Sequence, residues 1–173
     1  MKSNNYDARV QQTFYDSCAI KAQQLILESR GIYVPEWQLR EDALVAGIFR
    51  EGFGTPMINV GDILKEYGRD VHKYVNASTS DILNELYQGH QVIVGVDSGE
   101  LWTAGMDEFE EDLFQGGKAD HALLVSGFIV DPFSAEQNIL LTDPGTGGVC
   151  VEYSLEQFED AWADSDFFMV TSN

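Results

Sequence analysis

HALLVSGFIV, residues 121–130, is the most apolar strand pattern in this chain, and it decides which fold the sequence predicts. Its β-branched and aromatic residues favour an extended strand. Three other segments of the second half share this composition. They are QVIVGV (91–96), NILLTD (138–143) and FFMVT (167–171). Since turn residues separate these strands, the second half predicts an antiparallel sheet.

Helical patterns dominate the first half of the chain. Asp16 or Ser17 can cap a first helix, which runs to about residue 29 and is closed by Gly31. Similar start and stop signals predict helices over residues 36–46, 55–67 and 81–88, and a late helix over residues 155–163. A helical half followed by an antiparallel sheet is an α+β fold. With 173 residues the chain can build one substantial core, so we expect a single domain over residues 1–173.

Acidic residues strongly outnumber basic ones. The chain has 29 Asp and Glu residues and 10 Lys and Arg residues, which gives a formal charge of -19. This charge repels phosphate backbones and anionic lipids, so neither nucleic acid nor a membrane is expected as a partner. No apolar run approaches the roughly 20 residues that span a bilayer.

The amino-terminal stretch MKSNNYDARV has no apolar core of a secretory signal peptide. We therefore expect a cytoplasmic protein, or one exported by a route without such a signal, although a removed leader would leave no trace. The two cysteines, Cys18 and Cys150, form neither a metal-ligand pattern nor a disulfide framework. A reducing compartment would keep them as thiols, and a single bridge is the alternative in an oxidising one.

Cys18 stands at the start of the first predicted helix, in QQTFYDSCAI (11–20). Amide dipoles at a helix amino terminus and a neighbouring imidazolium both favour the thiolate, the form in which cysteine is a nucleophile. Of the three histidines, His121 opens the most apolar strand, whereas His72 and His90 sit in polar, turn-rich stretches. His121 is therefore the candidate base, and the other two are expected at the surface.

A catalytic imidazole needs a partner for its second ring nitrogen. Asp143 ends the strand NILLTD, where the turn DPGTGG leaves its carboxylate at a strand terminus. Asp120 also neighbours His121, but adjacent strand residues point to opposite faces, which favours Asp143. An oxyanion would need donors, which the backbone N–H of Cys18 and the side-chain amide of Gln12 can supply.

Three segments, QTFYDSC (12–18), DHALLVSGF and ILLTDPGTG, follow one another in a recognisable order. With a glutamine six residues before a cysteine, a histidine opening an apolar strand and an aspartate before proline, they resemble the C39-like branch of the papain-like cysteine peptidases. The resemblance spans nearly the whole chain and implies a papain-like fold. It makes Cys18 the nucleophile and His121 the general base. It also makes Asp143 the group that orients the imidazole and Gln12 the oxyanion donor. Only the six-residue offset from Cys18 favours Gln12 over its neighbour Gln11.

Two features depart from this resemblance. Ala19 follows the cysteine where many family members have glycine, and the segment 97–118 looks enlarged, which could reshape or cover the substrate cleft. The acidic run MDEFEEDLF (106–114) lacks the ligand spacing of a calcium loop and is expected to be a solvated face. Trp102, in GVDSGELW, either lies in a turn or lines the cleft.

Each candidate residue also has a purely structural interpretation. Taken alone, Cys18 on an apolar helix face is more often a core residue. Taken alone, His121 would more often be a hydrogen-bonded histidine of a sheet without a catalytic role, and Asp143 would more often be an aspartate that stabilises a turn. Their combination in one order favours catalysis. Cys150, in a strand after the glycine turn, is expected to be structural.

The sequence therefore predicts a thiol-dependent hydrolase, a peptidase or amidase that acts on a peptide or protein through an acyl-enzyme, without a metal or organic cofactor. Glutamine deamidation or acyl transfer, as in bacterial effectors with papain-like folds, uses the same chemistry and is not distinguished. The alternative from another class is a peptide-binding module, or an interaction domain, that retains these residues without turnover. The sequence does not predict the substrate or the oligomeric state.

Overall fold

The computed structural model describes residues 5–102 and 119–173, in which six strands form one antiparallel sheet with helices on both faces. The strands are β1 (Val71–Tyr74), β2 (Gln91–Val96), β3 (His121–Val130), β4 (Gln137–Asp143), β5 (Gly148–Ser154) and β6 (Met169–Ser172). The helices are α1 (Cys18–Ser29), α2 (Glu36–Val45), α3 (Asp62–Glu66), α4 (Thr79–Tyr87), α5 (Ser98–Trp102) and α6 (Leu155–Ala163), with a 3₁₀ turn at Met57–Asn59. The strand order is β1-β6-β2-β3-β4-β5. This layout confirms the predicted α+β fold.

The sheet separates two apolar cores because alternate residues of a strand point to opposite faces. On one face Ile93 and Leu124 join the core formed with α1, α2 and α3. On the other face Val94 and Leu123 join the core formed with α4 and α6. The central strand β2, which pairs with both β3 and β6, is buried on both faces. This double burial explains why QVIVGV is a continuous apolar run.

The pairing of β3 with β4 sets two strand ends side by side. β3 begins at His121 and β4 ends at Asp143, and the strands run antiparallel with Leu124 opposite Thr142. The amino terminus of α1, which packs against β3, carries Cys18. The predicted antiparallel sheet thus has β3 and β4 as neighbours, with α1 packed on it.

The predicted continuous helix over residues 55–67 is wrong. Only a 3₁₀ turn forms at Met57–Asn59, and α3 begins after Gly61. Gly61 has a φ of 93°, which side-chain-bearing residues rarely adopt. A Cβ at this position would lie 2.6 Å from Cγ1 of Val170 and 2.9 Å from Cγ1 of Val71. The break therefore follows from the close approach of this segment to β1 and β6, which the local sequence does not reveal.

Two short elements, β1 and α5, were not predicted at all. β1 has the sequence VHKY, and it is extended because it pairs along its length with β6. The helix predicted over residues 81–88 begins two residues earlier, because Ser78 caps α4. The hydroxyl of Ser78 accepts from the N–H of Asp81, whose carboxylate in turn accepts from the N–H of Ser78 at 2.8 Å. This reciprocal capping box fixes the start of α4.

Gly61→Ala should lower the free energy of unfolding by about 1–3 kcal/mol more than Gly47→Ala does. Both glycines have a positive φ, 93° and 74°, so both substitutions strain the backbone. A Cβ at Gly47 meets nothing within 4 Å, whereas one at Gly61 collides with two valines. Urea unfolding of the two variants measures the cost of this collision. Equal losses of unfolding free energy would contradict the claim that close packing at Gly61 breaks the helix.

Candidate active site

Cys18, His121 and Asp143 each occupy the end of an element, and the fold brings these ends together. Cys18 is the first residue of α1, His121 the first of β3 and Asp143 the last of β4. Cys18 and His121 lie on the wall of a cleft of about 440 Å³. Residues 52–55 and Trp102 also line this cleft. The partly exposed thiol is therefore open to a ligand, with the imidazole beside it.

Asp143 is a buried carboxylate held by several hydrogen-bond donors. Its Oδ1 accepts from Nε2 of His121 at 2.7 Å and from the N–H of Gly145 at 2.7 Å. Its Oδ2 accepts from the indole N–H of Trp102 at 3.0 Å. Burial raises the pKa of Asp143, but the hydrogen bond and charge of His121, together with the Gly145 N–H, outweigh it and lower the pKa. This side chain, only 2% exposed, is therefore an anion in the interior.

His121 is a buried imidazole between two groups that favour its cation. Burial alone would lower its pKa, but the hydrogen bond to Asp143 and the hydrogen bond and negative charge of Cys18 raise the pKa to about 10. Since Nε2 bonds Asp143, Nδ1 is the nitrogen left for the sulfur. The raised pKa contributes stability that is fully present below pH 6.5 and is lost as the pH rises through about 10.

Trp102 and Asp120 build the side of the cleft that covers the imidazole. The indole of Trp102 meets the ring of His121 edge to face, with centroids 5.3 Å apart and planes at 64°. The short helix α5, which carries Trp102, is fastened at Ser98, whose N–H and hydroxyl both donate to the Asp120 carboxylate at 2.9 Å. The aspartate that bonds His121 is therefore Asp143, as the sequence favoured, whereas Asp120 bonds Ser98 at the start of α5. Of the two placements left open for Trp102, the structure has the one in the cleft.

Arg40 supports the turn that leads into α1. Its guanidinium bonds the Asp16 carboxylate and the Ser17 hydroxyl, and the latter distance is 2.5 Å. The same group lies over the rings of Phe14 and Phe49, at 4.2 and 4.6 Å from their centroids. The side chains of Asp16 and Arg40 are 4% and 14% exposed, so this ion pair is largely shielded from solvent. Ser17 precedes α1 as predicted, but its hydroxyl serves Arg40 rather than capping the helix.

Gln12 lines the cleft, held by its own loop. Its Nε2 donates to the carbonyl of Phe14 at 2.8 Å, and its backbone N–H donates to the carbonyl of Pro144 at 2.7 Å. Its Oε1 is buried without a hydrogen-bond partner among the residues described. Because Nε2 carries two protons, one is left for a ligand. The N–H of Cys18 lies in the first turn of α1, where N–H groups lack an intrahelical acceptor.

Cys150, Gln11 and the other two histidines do not line this cleft. Cys150 is exposed on β5, and Gln11 is exposed beside Gln12. His72 is exposed on β1, as expected for a surface residue. His90 is only partly exposed, because its Nδ1 lies 2.6 Å from Oε2 of the buried Glu85.

The acidic run at residues 106–114 and most of the enlarged segment 97–118 lie outside the described residues. Within residues 5–102 and 119–173, no three His, Cys, Asp or Glu side chains gather closely enough to hold a metal ion. None of the helices described has the length and apolar character needed to cross a membrane.

Sequence reasoning missed two supports of this site. Arg40 pairs with Asp16 across 24 residues, and no local pattern signals that contact. The Gly145 N–H, by contrast, could have been predicted from the D-P-G turn, since an aspartate often accepts from the N–H two residues on. A Cβ on Gly145 would lie 3.0 Å from Cε1 of His121, so glycine also leaves room for the imidazole.

Comparisons with known proteins identify the family and the fold. The profile of the Peptidase_C39 like family matches residues 3–167. No curated protein matches the chain. The peptidase domain of Streptococcus ComA is similar, with 15% identity and a TM-score of 0.64, over 94% of this chain and 95% of that one.

Two further solved structures share the fold. One is described as a C39-like peptidase from Bacillus anthracis, with 15% identity and a TM-score of 0.68 over 99% of this chain and 96% of that one. The other is a double-glycine-motif protease from an AMS/PCAT transporter, solved with its leader peptide. It has 15% identity and a TM-score of 0.62, over 94% of this chain and 88% of that one.

Arg40→Ala should lower the free energy of unfolding by about 3 kcal/mol, because it leaves the buried Asp16 carboxylate without its cation. Arg9→Ala is the matched control, since Arg9 pairs with Asp7 at the surface with 88% of its side chain exposed. Arg9→Ala should change the free energy of unfolding only slightly. Urea unfolding measures both, and equal stability of the two variants would mean that Arg40 does not support the turn before α1.

Proposed function

This chain belongs to the Peptidase_C39 like family, and on that premise we propose that it is a cysteine peptidase that hydrolyses a peptide or protein through an acyl-enzyme on Cys18. The observation that carries the proposal is the buried His121 imidazole, with the Cys18 sulfur on one side and the Asp143 carboxylate on the other. A thiolate nucleophile needs such an imidazole, because its cation stabilises the sulfur anion and its proton can be passed to a leaving group.

In the proposed reaction the Cys18 thiolate attacks the carbonyl carbon of the scissile amide, whose oxygen takes up the displaced electron pair. The Cys18 N–H and one Nε2 proton of Gln12 donate to that oxyanion. His121 gives its Nδ1 proton to the leaving nitrogen, so the C–N bond breaks and the amine departs. His121 then takes a proton from water, the hydroxide attacks the thioester, and the acid product leaves with regeneration of the thiolate.

Asp143 has a positioning role in this scheme. Its short hydrogen bond to Nε2 fixes the tautomer of His121 and turns Nδ1 towards the sulfur. Because the carboxylate is an anion in the interior, it also stabilises the imidazolium between the two proton transfers.

The cleft suits an extended peptide with exposed apolar and basic side chains. Tyr15 and Phe53 line it with 84% and 90% of their surfaces exposed, so both can pack against a substrate. Asp120 presents a carboxylate bonded to the neutral Ser98, and the whole chain carries a charge of -19. The double-glycine-motif protease of similar fold was solved with its leader peptide bound, so peptides of that kind belong in the first substrate set.

A cleavage screen tests the proposed function directly. A peptide library and a protein extract are treated with the wild-type protein or with Cys18→Ala, and new amino termini are identified by mass spectrometry. The proposal expects cleavage products with the wild type that are missing with the variant. Binding of peptides without cleavage by either protein would favour the alternative of a binding module.

Alkylation of the two cysteines tests the thiolate separately from any substrate. Cys18 should react with iodoacetamide well below pH 8, because the His121 cation favours its thiolate, while the exposed Cys150 should react slowly there. His121→Ala should move the Cys18 reaction to higher pH and leave Cys150 unchanged. Asp143→Asn should preserve the fold but slow turnover, since Asn holds the ring yet stabilises its cation less. Mass spectrometry resolves the sites, and a Cys18 rate that is insensitive to His121→Ala would refute the thiolate and imidazolium pairing.

Substrate charge provides a further prediction. Of two cleaved peptides that differ only in Lys or Glu beside the scissile bond, the Lys peptide should have the higher kcat/KM at low salt, because the cleft and the chain are acidic. The preference should shrink as salt rises, since the screening length falls from about 30 Å at 0.01 M to about 3 Å at 1 M. A preference for Glu at low salt, or no dependence on salt, would contradict this view of the cleft.

A further inference from the structure

Trp102 contacts both members of the His121 and Asp143 pair. Its indole N–H donates to Oδ2 of Asp143 at 3.0 Å, and its ring meets the His121 ring edge to face at 5.3 Å. Trp102 is 46% exposed, whereas His121 and Asp143 are 7% and 2% exposed. The indole therefore lies between the buried pair and the solvent of the cleft.

The indole bonds the Asp143 oxygen that does not accept from His121. Oδ1 accepts from His121 and from the backbone N–H groups of Gly145 and Thr146, the last at 3.4 Å. Oδ2 accepts from Trp102. With donors on both oxygens the carboxylate cannot rotate freely, so Oδ1 stays directed at the imidazole.

Hydrogen bonds to Asp120 and Gln157 hold α5 in the position that places the indole there. Ser98 bonds Asp120, the residue next to His121, through both its N–H and its hydroxyl. Nε2 of Gln157 on α6 donates to the carbonyl of Leu101 at 3.1 Å, and the Leu101 side chain is 3% exposed. These contacts attach α5 to the start of β3 and to α6, and so hold the indole beside the buried pair.

We propose that Trp102 is a positioning residue for the reaction, which orients the Asp143 carboxylate towards His121 and excludes water from their hydrogen bond. The role rests on the proposed cysteine peptidase, because it acts through His121 on Cys18. Without the indole N–H, the buried Oδ2 loses a donor that favours the charged carboxylate. Asp143 then takes up a proton more readily, and the His121 cation loses its partner at a higher pH.

The indole contact is tested first, in the unaltered protein, by ¹⁵N NMR of the three tryptophan side chains. Trp162 bonds the carbonyl of Phe168 in the core, and Trp37 is 57% exposed, so these two serve as references. Asp143→Asn should shift the Trp102 indole signal and leave the other two in place. A Trp102 signal unmoved by Asp143→Asn would overturn the proposal.

The positioning role is tested with Trp102→Phe, which keeps an aromatic ring and removes the N–H. The acid limb of the Cys18 alkylation profile should move up by about one pH unit. On a peptide found by the cleavage screen, kcat should fall about tenfold with KM unchanged, since the change affects the reacting groups and not substrate binding. Trp37→Phe is the matched control and should alter neither measurement.

An unchanged alkylation profile in folded Trp102→Phe would overturn the positioning role. If this variant does not fold, Ser98→Ala, which removes one bond that fastens α5, should move the acid limb in the same direction by a smaller amount, and no movement would count against the role. Neither NMR nor alkylation needs a substrate. Failure of the proposed peptidase would instead appear as a wild-type protein that cleaves nothing while the indole and alkylation results hold.

Discussion

The hydrogen bond between His121 and Asp143 constrains the whole arrangement, because both partners are charged and buried. Moving an isolated charge into a protein interior costs several kcal/mol, and only close pairing with further hydrogen bonds offsets that cost. The 2.7 Å bond requires the first residue of β3 and the last residue of β4 to be neighbours. Antiparallel pairing of these strands meets the requirement, and the turn after β4 contributes the Gly145 N–H as a further donor.

The remaining elements bring a thiol to this pair and hold it there. Packing of α1 on β3 places Cys18 at the same end of the sheet, and Arg40 fixes the turn before it through Asp16. On the other side, α5 covers the imidazole with Trp102. A buried ion pair is weak evidence for stability alone, since apolar groups of similar shape often stabilise a core as well or better. The position of the His121–Asp143 pair in an open cleft beside Cys18 is therefore better explained by the proposed catalytic chemistry than by stability.

Sequence patterns predicted the parts of this structure that local composition determines. The bounds of β2 and β3 agree with the apolar runs, because β2 from Val92 onwards and the first half of β3 are buried. The candidate residues Cys18, His121 and Asp143 could be selected because each ends a predictable element. The break at Gly61, strand β1 and the contacts of Trp102 could not be predicted. They depend on tertiary neighbours, and the indole, for example, lies 41 residues before the carboxylate that it bonds.

Direct titration of the His121 ring by NMR tests the central claim that this imidazole is held as a cation between sulfur and carboxylate. In the wild type, His121 should remain protonated well above pH 6.5 and lose its proton at about pH 10. In Cys18→Ala its midpoint should fall, because the sulfur no longer favours the cation. A His121 that titrates at or below pH 6.5 in the wild type, and is unmoved by Cys18→Ala, would contradict the account.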